Sequence, residues 1–154
     1  MHNIHATGVI LRDRGVLITG PSGSGKSTLA LDLLDRVRMA GGFARIVCDD
    51  QMFVQKRSGR LLARAAATIG GLVEIRGIGP CAVDAEPAME VDLVVRLVPA
   101  ATAPRIWDGE TATVEGIVLP RLDLPERGGT GSVAAVQAFL ALSGVAIVTP
   151  GAAK

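Results

Sequence analysis

"GPSGSGKSTLA", residues 20–30, decides the fold class of this 154-residue chain. It satisfies G-x-x-x-x-G-K-S/T, the pattern of a glycine-rich loop that cradles phosphates, and it stands in the context that pattern needs. Before it, GVLITG at 15–20 is a short apolar strand ending in glycine. After it, Leu29, Ala30, Leu33, Leu34 and Val37 recur at helical spacing, with Asp32 and Arg36 at i,i+4 on the wet side, which predicts a helix over 27–39. Strand, loop and helix in that order predict an α/β fold. The glycines let backbone N–H groups turn inward as an anion nest, and the positive end of the helix dipole adds to it. On this pattern Gly20, Pro21, Ser22, Gly23, Ser24, Gly25, Lys26, Ser27 and Thr28 form a nucleotide-binding segment. Lys26 would reach the β- and γ-phosphates as a point charge, and the Ser27 hydroxyl would coordinate Mg²⁺. Lysine occurs only at 26, 56 and 154, while arginine supplies 13 of the 16 positive charges. Lys26 therefore stands where a compact ammonium has a role an arginine would not fill.

Working outward, Gly41-Gly42 ends the helix, and FARIVC at 43–48 reads as a buried strand parallel to the first, delivering Asp49-Asp50 at its C-terminal end. Strand ends beside a phosphate loop are where an α/β sheet places its site. One carboxylate can serve Mg²⁺, directly or through water; the second is then free to accept the proton of an attacking hydroxyl, which points to phosphoryl transfer rather than hydrolysis. Residues 51–56 and 61–64 flank a turn at 57–60 and predict a β-hairpin. VEIRGIG at 73–79 and VDLVVRLV at 91–98 are further strands, joined by a loop containing Pro80 and Pro87. The proline- and glycine-rich stretch 99–131 reads as mostly irregular, with one short strand at 116–119. Ser132 is placed to cap a last helix through 142, with Val133, Val136, Phe139 and Leu140 inward, and the tail from about 146 to 154 is expected to fray.

Composition sets outer bounds. The length is that of a single domain spanning 1–154, and 49% hydrophobic with 20% charged residues is globular. No apolar run approaches the ~20 residues of a membrane-spanning helix. The N-terminus MHNIHATG lacks the charged and apolar regions of a secretory signal, so a cytoplasmic location is expected. Net charge is +1 without a basic run, which disfavours nucleic acid as a partner. Cys48 and Cys81 are too few and too far apart for a disulfide scaffold or a four-ligand zinc site, and read as buried free thiols. His5, Glu74 and Arg76 are ambiguous by spacing alone.

Taken together, the blocks resemble one family. HATG at 5–8, lying fifteen residues before Gly20, resembles the catalytic histidine segment of the HPr kinase/phosphorylases. GVLITGPSGSGKS resembles their phosphate loop, CDDQMFV their paired-aspartate strand, and VEIRGIG their signature L-E-I-R-G-L-G. With WDG and LPRLDLPERGG, the resemblance runs from His5 to about Gly129. It implies a carboxykinase-like phosphate-loop kinase fold with a mixed β-sheet, ATP and Mg²⁺ as cofactors, and a seryl hydroxyl of the phosphocarrier HPr as acceptor. Asp49 would be general base in phosphorylation and general acid in phosphorolysis. Lys26 would hold the transferring group, Ser27 and Glu74 would match the Mg²⁺ ligands, and His5, Asp50 and Arg76 would belong to the same site.

The chain departs from the family at several positions. Without the extra N-terminal domain of the long members in this sequence, similarity to the short, single-domain form is the expectation, and Thr28 stands where the long members usually have Glu. ETATVEG has no counterpart of the family's tyrosine-aspartate-arginine segment, and the late arginine loop is reduced to Pro125 through Thr130, with Arg127 standing for its first arginine. These losses bear on phosphorolysis and on homo-oligomer assembly more than on the kinase half. Two other readings stay open: a small-molecule kinase, though 99–131 offers only Arg105, Arg121 and Arg127 for a lid, and a nucleotide-binding regulatory module without catalysis.

Overall fold

Side chains alternate along the central strands, and that alternation builds two cores on opposite faces of one sheet. The computed structural model describes residues 2–66 and 71–142. Its strands are β1 (His2–Ile4), β2 (Thr7–Leu11), β3 (Arg14–Thr19), β4 (Ala44–Cys48), β5 (Met52–Arg57), β6 (Arg60–Ala65), β7 (Leu72–Ile75), β8 (Gly79–Ala82), β9 (Ala88–Glu90), β10 (Leu93–Val98), β11 (Thr111–Val114) and β12 (Ile117–Pro125); its helices are α1 (Lys26–Met39) and α2 (Thr130–Leu142). A six-stranded sheet runs β11-β12-β10-β3-β2-β4, a four-stranded one β1-β5-β6-β9, and β7-β8 form a hairpin. On one face of the large sheet Val9, Val16, Ile18, Leu93, Val95 and Leu122 pack on Leu29, Leu33 and Val37 of α1 and Val133 and Val136 of α2. On the other, Leu17, Val94 and Leu119 meet Met52, Val54, Leu61 and Met89 of the smaller sheet. Helices, large sheet and small sheet thus form three layers.

The large sheet is mixed, as the family resemblance implies. β12, β10 and β3 are mutually parallel, whereas β2 is antiparallel to both β3 and β4. β4 therefore runs in the same direction as β3, as the sequence predicts, but β2 lies between them. No strand was predicted before residue 15, and the reason is local. Leu11 pairs with Arg14 across a two-residue turn in which Arg12 takes a left-handed φ of 59°, so the connection carries no Asn-Gly or glycine signature. The 51–64 hairpin forms with its turn at Ser58 and Gly59, both left-handed at φ 52° and 76°.

Three further expectations need correction. The 73–79 segment is not one strand: it turns at 76–78 between β7 and β8, with left-handed Gly77 and Gly79 at φ 91° and 106°. The 80–87 loop consequently begins in strand. The stretch 99–131 contains a hairpin and a nine-residue strand, because β12 pairs with β11 up to Pro120 and with β10 from Arg121 to Pro125. Both prolines stand at the hand-over or the end of pairing, where a missing N–H is tolerated. Helix α2 starts at Thr130, and Gly129, whose carbonyl accepts from Ser132 and Val133 N–H at 3.2 and 3.3 Å, caps it in place of Ser132. The expected fraying of 146–154 lies outside the described residues. Val133 and Val136 are buried as expected, and Phe139 and Leu140 pack beside them.

Candidate active site

β3 ends at Thr19, and the chain must turn at once into α1. Gly20 makes that turn: a Cβ there would stand 2.8 Å from Ser24 Oγ and 3.0 Å from Leu97 Cβ. Gly25 precedes the helix at φ 99°, a conformation that costs an L side chain and costs glycine little. Between them the loop wraps onto Lys26, which is 7% exposed and donates its ammonium to the carbonyls of Gly20 at 2.9 Å and Pro21 at 3.2 Å. The cation is held at the mouth of the loop, over the amides that would face a phosphate. Arg127 closes the rim from the loop after β12. Its N–H donates to Ser24 O at 2.9 Å and its guanidinium to Gly23 O at 2.5 Å.

Opposite Ser27, β4 delivers Asp49. Asp49 Oδ1 accepts from Ser27 Oγ at 2.7 Å and from Thr7 Oγ1 at 2.9 Å. The same Thr7 oxygen accepts from the Asp50 N–H at 3.4 Å, and Asp50 O takes the Ala6 N–H at 3.2 Å. Asp50 sits at φ 78°, so the paired aspartates leave the strand in different directions: Asp49 toward the loop, Asp50 toward His5, whose Nδ1 is 3.5 Å from Asp50 Oδ1. The register of β2 against β4 shifts between Gly8 and Val9, and the resulting bulge puts both Val47 and Cys48 into the second core. Burial pushes the Cys48 thiol up from its ordinary value, against the hydrogen bonds it donates to Gln51 O and Asp49 O. Cys48 is thus a buried free thiol bracing the aspartate turn, while Cys81 is only half-buried.

His5, Thr7, Lys26, Ser27, Asp49 and Asp50 therefore share one corner. Thr7, fully buried, was not singled out by the sequence. Its signal lay in the HATG block, where only the histidine drew attention. Glu74 and Arg76 lie elsewhere, exposed on the β7-β8 hairpin, which is anchored to α1 through buried Val73. Among the described residues their side chains make no hydrogen bond or ion pair, and no three His, Cys, Asp or Glu residues cluster as a metal site. On the paired strands β10 and β12, Arg96 and Arg121 clasp Asp123 at 2.7 to 3.2 Å. Burial alone would raise the Asp123 carboxyl; the two guanidinium partners outweigh it and hold it below the usual carboxylate range.

Comparison with known proteins matches the chain to one family. The family model for the HPr Serine kinase C-terminal domain matches residues 1–138. The HPr kinase/phosphorylase of Limosilactobacillus reuteri is 34% identical over 139 residues, covering 82% of this chain and 42% of that protein. That of Geobacter sulfurreducens is 33% identical over the same length. The chain spans about two fifths of the length of these curated relatives. The solved structure of the Hpr(Ser) kinase/phosphatase from Coxiella burnetii superposes with a TM-score of 0.78 at 26% identity, over 94% of this chain and 92% of that one. The mixed sheet is thus shared with a solved relative, and the chain belongs to the HPr serine kinase C-terminal domain family.

Proposed function

We propose that this chain is an ATP- and Mg²⁺-dependent protein kinase domain that phosphorylates a serine of an HPr-type phosphocarrier in the cytoplasm. The observation that carries this is the Ser27–Asp49–Thr7 contact, which fixes a carboxylate beside the phosphate loop at hydrogen-bond range. Asp49 takes the proton of the seryl hydroxyl as its oxygen bonds to the γ-phosphorus; the bond from that phosphorus to the β-γ bridging oxygen breaks, and ADP leaves. Thr7 steadies the carboxylate, and His5 with Asp50 borders the same corner.

The donor set fits Mg²⁺: a serine hydroxyl and a carboxylate are hard oxygen ligands, and a site with one or two protein ligands completed by phosphates suits that ion. Ser27 would hold it, with Glu74 contributing from the hairpin, which leaves Asp49 free as the base, and bound Mg²⁺ would neutralise charge developing on the phosphates. Lys26 exchanges its loop carbonyls for phosphate oxygens. Arg76, on the turn following Glu74, faces the incoming acceptor. In phosphorolysis an oxygen of inorganic phosphate bonds to the seryl phosphorus, the bond from that phosphorus to the serine oxygen breaks, pyrophosphate leaves, and Asp49, protonated at the start of this step, gives its proton to the serine oxygen. Neither nucleic acid nor membrane has a part in this reading, and self-association would add to it without changing the chemistry. No helix among the described residues is long and apolar enough to cross a membrane.

The test is transfer of label from γ-labelled ATP and Mg²⁺ to a purified HPr-type carrier. Label on the carrier that disappears with Asp49→Asn and with the acceptor serine changed to alanine supports the reading. ATP binding without labelling of the carrier removes that partner and puts a small-molecule kinase or a regulatory module in its place.

A further inference from the structure

A cleft of about 130 Å³ opens next to the phosphate loop, between the outer face of α1 and the loop that follows β12. That is below the ~300 to 1,000 Å³ of sites that enclose a whole small molecule, so it takes a part of one. Its floor is apolar, formed by Leu29 and Leu97. One wall is the α1 face bearing Thr28 and Asp32, one turn apart, and Thr28 directly follows the Ser27 of the phosphate loop. The facing wall is bare backbone at Gly128 and Gly129. A Cβ on Gly128 would fall 2.2 Å from Ser132 Oγ and 3.0 Å from Pro125 O, so no side chain can stand there.

Two polar groups give the cleft its chemistry. Ser132 lines it from the first turn of α2, is 3% exposed, and its hydroxyl has no hydrogen-bond partner among the described residues. Such a group costs ~1 to 3 kcal/mol unless something satisfies it. Asp32 brings a carboxylate, which repels a phosphate and accepts from N–H groups. Arg127 is on the rim, yet its guanidinium is spent on Gly23 O and lies 3.8 Å from Glu126. An apolar, flat-walled slot with a carboxylate and a free hydroxyl does not suit an anion; it suits a flat, neutral ring with N–H donors on its edge.

We propose that this cleft holds the nucleobase of the bound nucleotide, a purine carrying an exocyclic amino group, with Asp32 and Ser132 reading its edge. The ring lies between Leu29 and the Gly128-Gly129 backbone, and the phosphates run back past Thr28 to Lys26. This rests on the nucleotide-binding reading above, and the test separates the two. Titration calorimetry compares Mg²⁺-ATP with Mg²⁺-tripolyphosphate, which lacks a base, on the full chain and on Ser132→Ala, Asp32→Ala and Lys26→Ala. Ser132→Ala should weaken ATP about three- to tenfold and leave tripolyphosphate unchanged. Asp32→Ala should weaken ATP similarly while tripolyphosphate holds or tightens slightly, since a negative charge is gone. Lys26→Ala should weaken both. Equal affinity of ATP and tripolyphosphate for the wild type, or loss of neither or both ligands alike in the Ser132 and Asp32 variants, overturns the cleft assignment while leaving the phosphate loop standing. If Lys26→Ala weakens neither ligand, the phosphate-loop reading and the cleft fall together. A purely structural Ser132 would instead hold or raise the thermal midpoint on losing its hydroxyl, with no base-dependent change.

Discussion

The corner around Asp49 and the hairpin carrying Glu74 are built on opposite plans. At the corner three chain segments are bonded to one another through side chains: Thr7 and Ser27 both donate to Asp49, and Asp50 N–H returns to Thr7. On the hairpin, Glu74 and Arg76 project from the surface, and the element is held by its own backbone ladder and by the packing of Val73 and neighbouring Val83 on the core. A bonded corner keeps its geometry without ligand; an exposed pair acquires its geometry from what docks against it. The difference separates residues whose loss should cost both structure and chemistry from those whose loss should cost chemistry only.

The largest expected effect breaks the bonded side. Asp49→Asn should lower phosphoryl transfer about 10²- to 10⁴-fold, read by single-turnover labelling, while ATP still binds. Next comes the exposed side: Glu74→Gln should cost about tenfold or more in turnover, partly restored at high Mg²⁺, with the thermal midpoint within about 1 °C of wild type. A fall of several degrees would show that Glu74 is a structural residue and would erase the contrast. Thr7→Val keeps shape and removes the bridge, so chemical denaturation should show a loss of about 1 to 3 kcal/mol, with a smaller fall in transfer than Asp49→Asn gives. The smallest effect lies at Asp123. Its carboxyl is held low in the folded state, so its contribution is present above about pH 4 and is lost as pH falls through the depressed value. Asp123→Asn should therefore flatten the acid limb of stability against pH, by unfolding monitored from pH 7 down to about 3.

Much of this was legible in the chain itself. The phosphate loop announces itself by glycine spacing, α1 by its apolar stripe, and the 52–65 hairpin by Ser58-Gly59. The fold's mixed character rested on resemblance, because the strand that makes the sheet mixed, β2, hides behind an Arg-Asp turn whose strained φ leaves no residue-type signature. β12 hid behind Pro120 and Pro125, which argue against strand until one sees that each falls where no ladder N–H is needed. Thr7 and Ser132 were illegible for a different reason. A threonine in a strand and a serine at a helix start are ordinary by pattern, and what makes each unusual is burial beside groups distant in sequence.

That distance has a consequence for how the site comes into being as the chain is made. The Asp49 corner is closed by bonds spanning 22 and 42 residues, all within the first fifty positions. The rim is closed by a bond spanning 104, from Arg127 back to Gly23, and the base cleft is lined by Ser132 of α2. Contacts of long span form late, since loop closure must precede them. A growing chain would thus possess a grip for phosphate well before it could tell one nucleotide from another.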